Sequence, residues 1–160
     1  MTPFVIGNIQ FVFSLLIYSF IAIWYVNPQL KKMSWDKALT PLLLIHCFRV
    51  GPLTLLMPGQ VSPEVPLQVA RTIAYGDLIS GILAFVAAIM VWYKITTAKL
   101  MVWIFTIVGF GDVILASAKG IGAGLLDLPI GFNLYILNFY VPLLIVTHIL
   151  ILRILTKKEV

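Results

Sequence analysis

Six ionisable side chains lie inside otherwise apolar stretches of this chain: His46, Arg49, Arg71, Asp77, Asp112 and His148. In a bilayer interior such groups cost on the order of several kcal/mol each, and they normally face another helix or a wet cavity. The two histidines are the only ones in the sequence, and Asn138 adds a neutral donor and acceptor to the last stretch. Three chemistries follow from these residue types. Imidazoles at matched depth on antiparallel helices are what bis-histidine ligation of a b-type haem requires, so His46 and His148 are the expected haem or metal ligands, with electron transfer as the activity. Histidine titrates near neutral pH and a buried carboxyl can be raised towards it, which suits a proton-coupled carrier or channel. The same groups suit general acid–base work by an intramembrane enzyme on a lipid-soluble substrate. No serine stands in a nucleophile elbow, and no catalytic residue is assigned.

All three chemistries share one expected ligand site, built from His46, Arg49, Asp77, Asp112 and Asn138, with His148 approaching from the cytoplasmic side. Each group also has a plainer role. Arg49 with Asp77 or Asp112 makes an ion pair that sets helix register, and the histidines make interhelical hydrogen bonds. Two arginines and two aspartates would balance to zero if Arg71 joined the network.

The elements that must hold these residues are membrane helices. The chain has 160 residues, 61% hydrophobic and only 11% charged, where soluble domains carry about 25% charged residues. Its mean hydropathy is +1.07. A soluble domain and a disordered chain are both excluded. Five continuous apolar runs reach the roughly 20 residues needed to cross a bilayer: 3–26, 38–57, 66–93, 100–118 and 134–155. They lack the polar alternation of barrel strands. The expected fold is all-α, a five-helix transmembrane bundle in one domain over residues 1–160. No basic n-region precedes the first run, so it reads as a span and not a leader.

Basic residues set the expected orientation. Loops 27–37 and 94–99 and the C-terminus hold most of the lysines, while loops 58–65 and 119–133 hold only Lys119. The N-terminus is therefore expected outside and the C-terminus, with Lys157 and Lys158, in the cytoplasm of a plasma-membrane protein. The formal charge of +5 belongs to these flanks and to lipid headgroups, not to nucleic acid. The expected partners are the bilayer, a proton or an apolar small molecule, and a second copy of the chain. One cysteine, Cys47, excludes a disulfide and a CxxC site.

Within this frame His46 and His148 each lie about 12 Å from the cytoplasmic end of their spans, at a rise of about 1.5 Å per residue. Ala70, Ala74, Asp77, Gly81, Ala84 and Ala88 form a small-residue stripe, which places Asp77 against a neighbouring helix. Pro52 and Pro142 lie inside spans and are expected to free the carbonyls of Phe48 and Asn138. Glycines at 120, 122, 124 and 131 predict a flexible outer loop, with Leu125, Leu126 and Leu128 dipping towards the interface.

Overall fold

A computed structural model describes residues 1–157, so Lys158 lies outside the described residues. The described chain is helical and contains no strand. Five helices are long and apolar enough to cross a membrane: α1 (Pro3–Leu30), α2 (Trp35–Leu56), α3 (Leu67–Trp92), α4 (Ala98–Gly122) and α5 (Asn133–Thr156). α1 and α4 run further than their apolar runs indicate, because helix continues through Asn27–Leu30 and through Lys119–Gly122.

Helices α2 to α5 form a ring in which each packs on the next and α5 closes back on α2. α1 stands outside the ring and packs on α5 and on the 125–127 turn. Only Gly7, Ser14 and Ala22 of α1 are buried, while Ile9, Phe13 and Phe20 lie on its exposed surface. Every member of the α3 small-residue stripe is buried. Small side chains let backbones approach closely, and close van der Waals packing drives association where lipid offers no hydrophobic gain. Leu39, Leu43, Val91, Val102, Phe105 and Ile151 fill the ring towards the C-terminal pole.

Three departures from α geometry matter for the site. α2 is α-helical only to His46 and continues as a 3-10 helix from Cys47 to Leu56. With three residues per turn, side chains at i and i+3 eclipse, and the buried residues are Arg49, Pro52 and Leu55, directly in line with buried His46. Pro52 therefore leaves the carbonyl of Arg49 without its i+3 donor, and not that of Phe48 as α geometry would require. Two π-helical turns, Ala22–Val26 and Ile136–Tyr140, each stand just before a proline, Pro28 and Pro142. A proline ring collides with the carbonyl four residues earlier, and the wider turn relieves that collision.

The 119–133 segment is a packed cap, not the flexible loop expected from its glycines. Leu125 and Ile130 are buried with Val65, Ala70 and Leu55. Ser62 N–H donates to the Pro129 carbonyl at 2.8 Å and ties the two loops of this pole together. Gly131 has φ +54°, and a Cβ there would press on the Gln60 carbonyl. Leu126 reaches α1 at Gly7.

Ala84, fully buried on α3, leaves no room for a larger side chain. Ala84→Leu is expected to lower stability by about 1–3 kcal/mol in reversible unfolding from bicelles. Ile114→Ala, on the exposed face of α4, is expected to change it by less than about 0.5 kcal/mol.

Candidate functional site

The 3-10 seam of α2 delivers Arg49 to the middle of the ring, where it is fully buried. Its guanidinium donates from Nε to Asp77 Oδ1 on α3 at 2.7 Å and from Nη2 to Asp112 Oδ2 on α4 at 2.5 Å. Nη1 donates to the Gly109 carbonyl on α4 at 2.8 Å. Three helices are thus joined by one side chain. Two glycines make the space: a Cβ on Gly76 would overlap the Asp112 carboxyl, and one on Gly109 would lie 3.2 Å from both Arg49 Nη1 and His148 Cε1. Guanidinium and carboxylate attract by about 4 kcal/mol at 4 Å in an effective dielectric of 20. Desolvation costs several kcal/mol per ion. The attraction and the cost are of one size, so the network selects a register more than it adds stability.

Arg71 does not join. It lies exposed on α3 and, among the described residues, is in no ion pair. One guanidinium faces two carboxyl groups, one more than its single charge can balance.

The histidines meet on the side of Arg49 nearer the C-terminal pole. Their ring centroids are 4.2 Å apart at 53°. Phe105 stacks on His148 at 5.2 Å and meets His46 edge-on at 5.0 Å, and Phe110 meets His148 at 5.5 Å. Two imidazoles on opposite faces of a haem need centroids roughly 6 Å apart, given metal–nitrogen bonds of about 2 Å. The pair is too close for that arrangement, and phenyl rings occupy its flanks. The residues present do not fit a bis-histidine haem. Nor, among the described residues, do three or more His, Cys, Asp or Glu side chains cluster as a metal site; both aspartates turn to Arg49.

His46 instead bridges α2 to α5, while His148 meets its neighbours by ring contacts alone. The Thr147 hydroxyl lies 2.8 Å from the Leu143 carbonyl and 2.9 Å from His46 Nε2. With its proton given to the carbonyl, the hydroxyl accepts from His46 Nε2–H. His46 Nδ1 and both nitrogens of His148 are buried with no hydrogen-bond partner. Tyr140 donates to the Ile45 carbonyl at 2.6 Å, where α2 changes from α to 3-10 geometry.

Asn138 stands apart from the ion network, on the π-helical turn of α5. Its Nδ2 donates to Gln10 Oε1 on α1 at 2.8 Å, and its Oδ1 is buried without a partner. It shares a cavity of about 240 Å³ with Arg49 and Asp77. The rest of the lining is largely apolar: Phe4 and Phe11 of α1, Leu55 of α2, Ile73 of α3, Val113 and Ala116 of α4, Leu144 of α5. His46, His148 and Asp112 do not line it. Of the expected site, then, Arg49, Asp77 and Asn138 reach the cavity, Asp112 supports Arg49 from behind, and the histidines form a second layer. Gly76, Phe105 and Thr147 belong to the site and carry no signal in sequence that marks them. Gln10, one of few polar residues in the first span, does.

Residues 6–156 match the family described as Domain of unknown function (DUF8737), and the chain belongs to that family. No curated protein and no solved structure matches the chain.

Removing only the cation leaves buried Asp77 and half-buried Asp112 without it. Arg49→Met is expected to cost about 3–5 kcal/mol of stability. Arg49→Met combined with Asp77→Asn and Asp112→Asn is expected to regain most of that loss in the same unfolding measurement. If the triple variant stays as unstable as the single, the network is not an isolated electrostatic unit.

Proposed function

We propose that this chain is a multi-pass membrane protein that binds a small lipid-soluble molecule, with the polar head of the ligand set against Arg49, Asp77 and Asn138. The observation that carries the reading is the cavity of about 240 Å³, largely apolar in its lining, with Arg49, Asp77 and Asn138 gathered at one end and Asn8, Ser117, Asp127 and Asn133 elsewhere on the wall. A dry cavity of about 150 Å³ holds benzene, so this one takes a molecule half as large again. Both polar features at its end favour a head that donates hydrogen bonds or bears positive charge, such as a hydroxyl or an amine. The Asn138 carbonyl oxygen is buried without a partner, and the Arg49–Asp77–Asp112 group has one carboxylate in excess.

That excess favours a second element of the reading, a proton-coupled carrier. A low-dielectric site does not keep an uncompensated charge. A proton, or the cationic head of the ligand, neutralises it, and the two compete for Asp77. The basic flanks support a reading with the C-terminal pole in the cytoplasm of a plasma membrane.

The test is mass spectrometry of an organic extract of the purified protein in nanodiscs. Wild type is expected to yield one small compound near one-to-one stoichiometry. Ala116→Phe, which fills the cavity, is expected to yield none, and Asp77→Asn to lose at least about tenfold, the worth of a lost charge-assisted hydrogen bond. No compound from wild type, or equal recovery from Ala116→Phe, overturns the reading. In proteoliposomes loaded with a pH-sensitive dye, uptake of the extracted compound is expected to release protons in wild type and not in Asp77→Asn.

A further inference from the structure

A second concavity lies at the opposite pole from the cavity, between the end of α1, the start of α2 and the end of α5. It encloses about 690 Å³. Lys31, Arg153 and Lys157 line it, no acidic side chain among the described residues does, and the rest of the wall is largely apolar, with Leu30, Leu150 and Ile154. Among the described residues none of the three cations is in an ion pair, whereas Lys94 at this pole is paired with Asp36. Trp35 also lines the groove, and its indole N–H is buried without a hydrogen-bond partner among the described residues. A buried indole N–H ordinarily finds an acceptor. The groove therefore offers three positive charges and a spare donor beside an apolar wall, at the end of helices whose length and composition suit a bilayer.

We propose that this groove is a binding site for one anionic phospholipid, whose phosphate lies among Lys31, Arg153 and Lys157 while an acyl chain follows Leu30, Leu150 and Ile154. Charge complementarity selects the occupant. A zwitterionic headgroup brings its own cation into a site where no described residue offers a carboxylate to receive it. A free phosphate uses the cations and leaves the apolar wall uncovered. An anionic phospholipid satisfies both halves. The site is independent of the ligand cavity and shares no lining residue with it.

The experiment is native mass spectrometry of the delipidated full chain titrated with phosphatidylglycerol, phosphatidylcholine and inorganic phosphate. Wild type is expected to bind phosphatidylglycerol at least tenfold more tightly than phosphatidylcholine. Each basic residue near a lipid surface is worth about fivefold, so Lys31→Gln with Arg153→Gln is expected to weaken phosphatidylglycerol about thirtyfold. Lys94→Gln, at the same pole but outside the groove, is expected to keep the preference. Both substituted residues of the double variant are exposed, and its thermal midpoint is expected to match wild type. Trp35→Phe keeps every charge and is expected to weaken the anionic lipid with no effect on phosphatidylcholine. Equal binding of the two lipids, a preference that survives the double variant, an equal loss in Lys94→Gln, or displacement of the lipid by inorganic phosphate would each overturn the proposal.

Discussion

A cation that cannot reach water is the constraint around which the bundle is arranged. Arg49 is fully buried in the centre of the ring, and a guanidinium there must find acceptors within its own planar fork. Two carboxylates and a backbone carbonyl supply them from α3 and α4. Sliding any of these helices by one turn would move an acceptor by about 5.4 Å and strand the charge. The packed alanines of α3 tolerate several registers, since small residues carry little shape. The arginine tolerates one. Stability thus comes mainly from close packing, and the choice of alignment comes from the ions.

The irregular turns are the means by which the constraint is met. A 3-10 segment brings His46, Arg49, Pro52 and Leu55 into one line, so a single edge of α2 carries the histidine, the arginine and part of the cavity wall. An α-helix would spread the same residues around about half of its circumference. The π-helical turn before Pro142 does the same service on α5. It holds Asn138 where one face of its amide bonds α1 and the other meets the cavity. Pro52 and Pro142 therefore sit beside the site they help to shape.

Much of this was legible before any coordinates. Bilayer thickness forces long apolar runs, so the five helices stand out. Charges are rare enough in such runs that Arg49, Asp77 and Asp112 are marked by composition, and the α3 stripe marks which face Asp77 presents. What was not legible is relational. Periodicity says that Arg71 and Arg49 both lie in spans; only packing shows that one is exposed and the other paired. Equal depth of His46 and His148 says nothing of lateral separation, and their rings lie side by side where a haem would need room between them. The glycine-rich stretch is flexible by composition but is pinned by Leu125 and Ile130 beneath it. No local signal announces the change to 3-10 geometry beyond Gly51-Pro52, or places α1 against α5.

α1 spans 28 residues, about 42 Å at 1.5 Å per residue, against a hydrocarbon core of about 30 Å. In a bilayer a helix of that length is accommodated by tilting, to a degree that depends on the thickness of the lipid. Because α1 packs on the ring along one side only and forms one wall of the cavity, that wall would lean with the bilayer. The volume of the cavity would then be a property of protein and lipid together, reset by a thicker or thinner membrane without touching a residue.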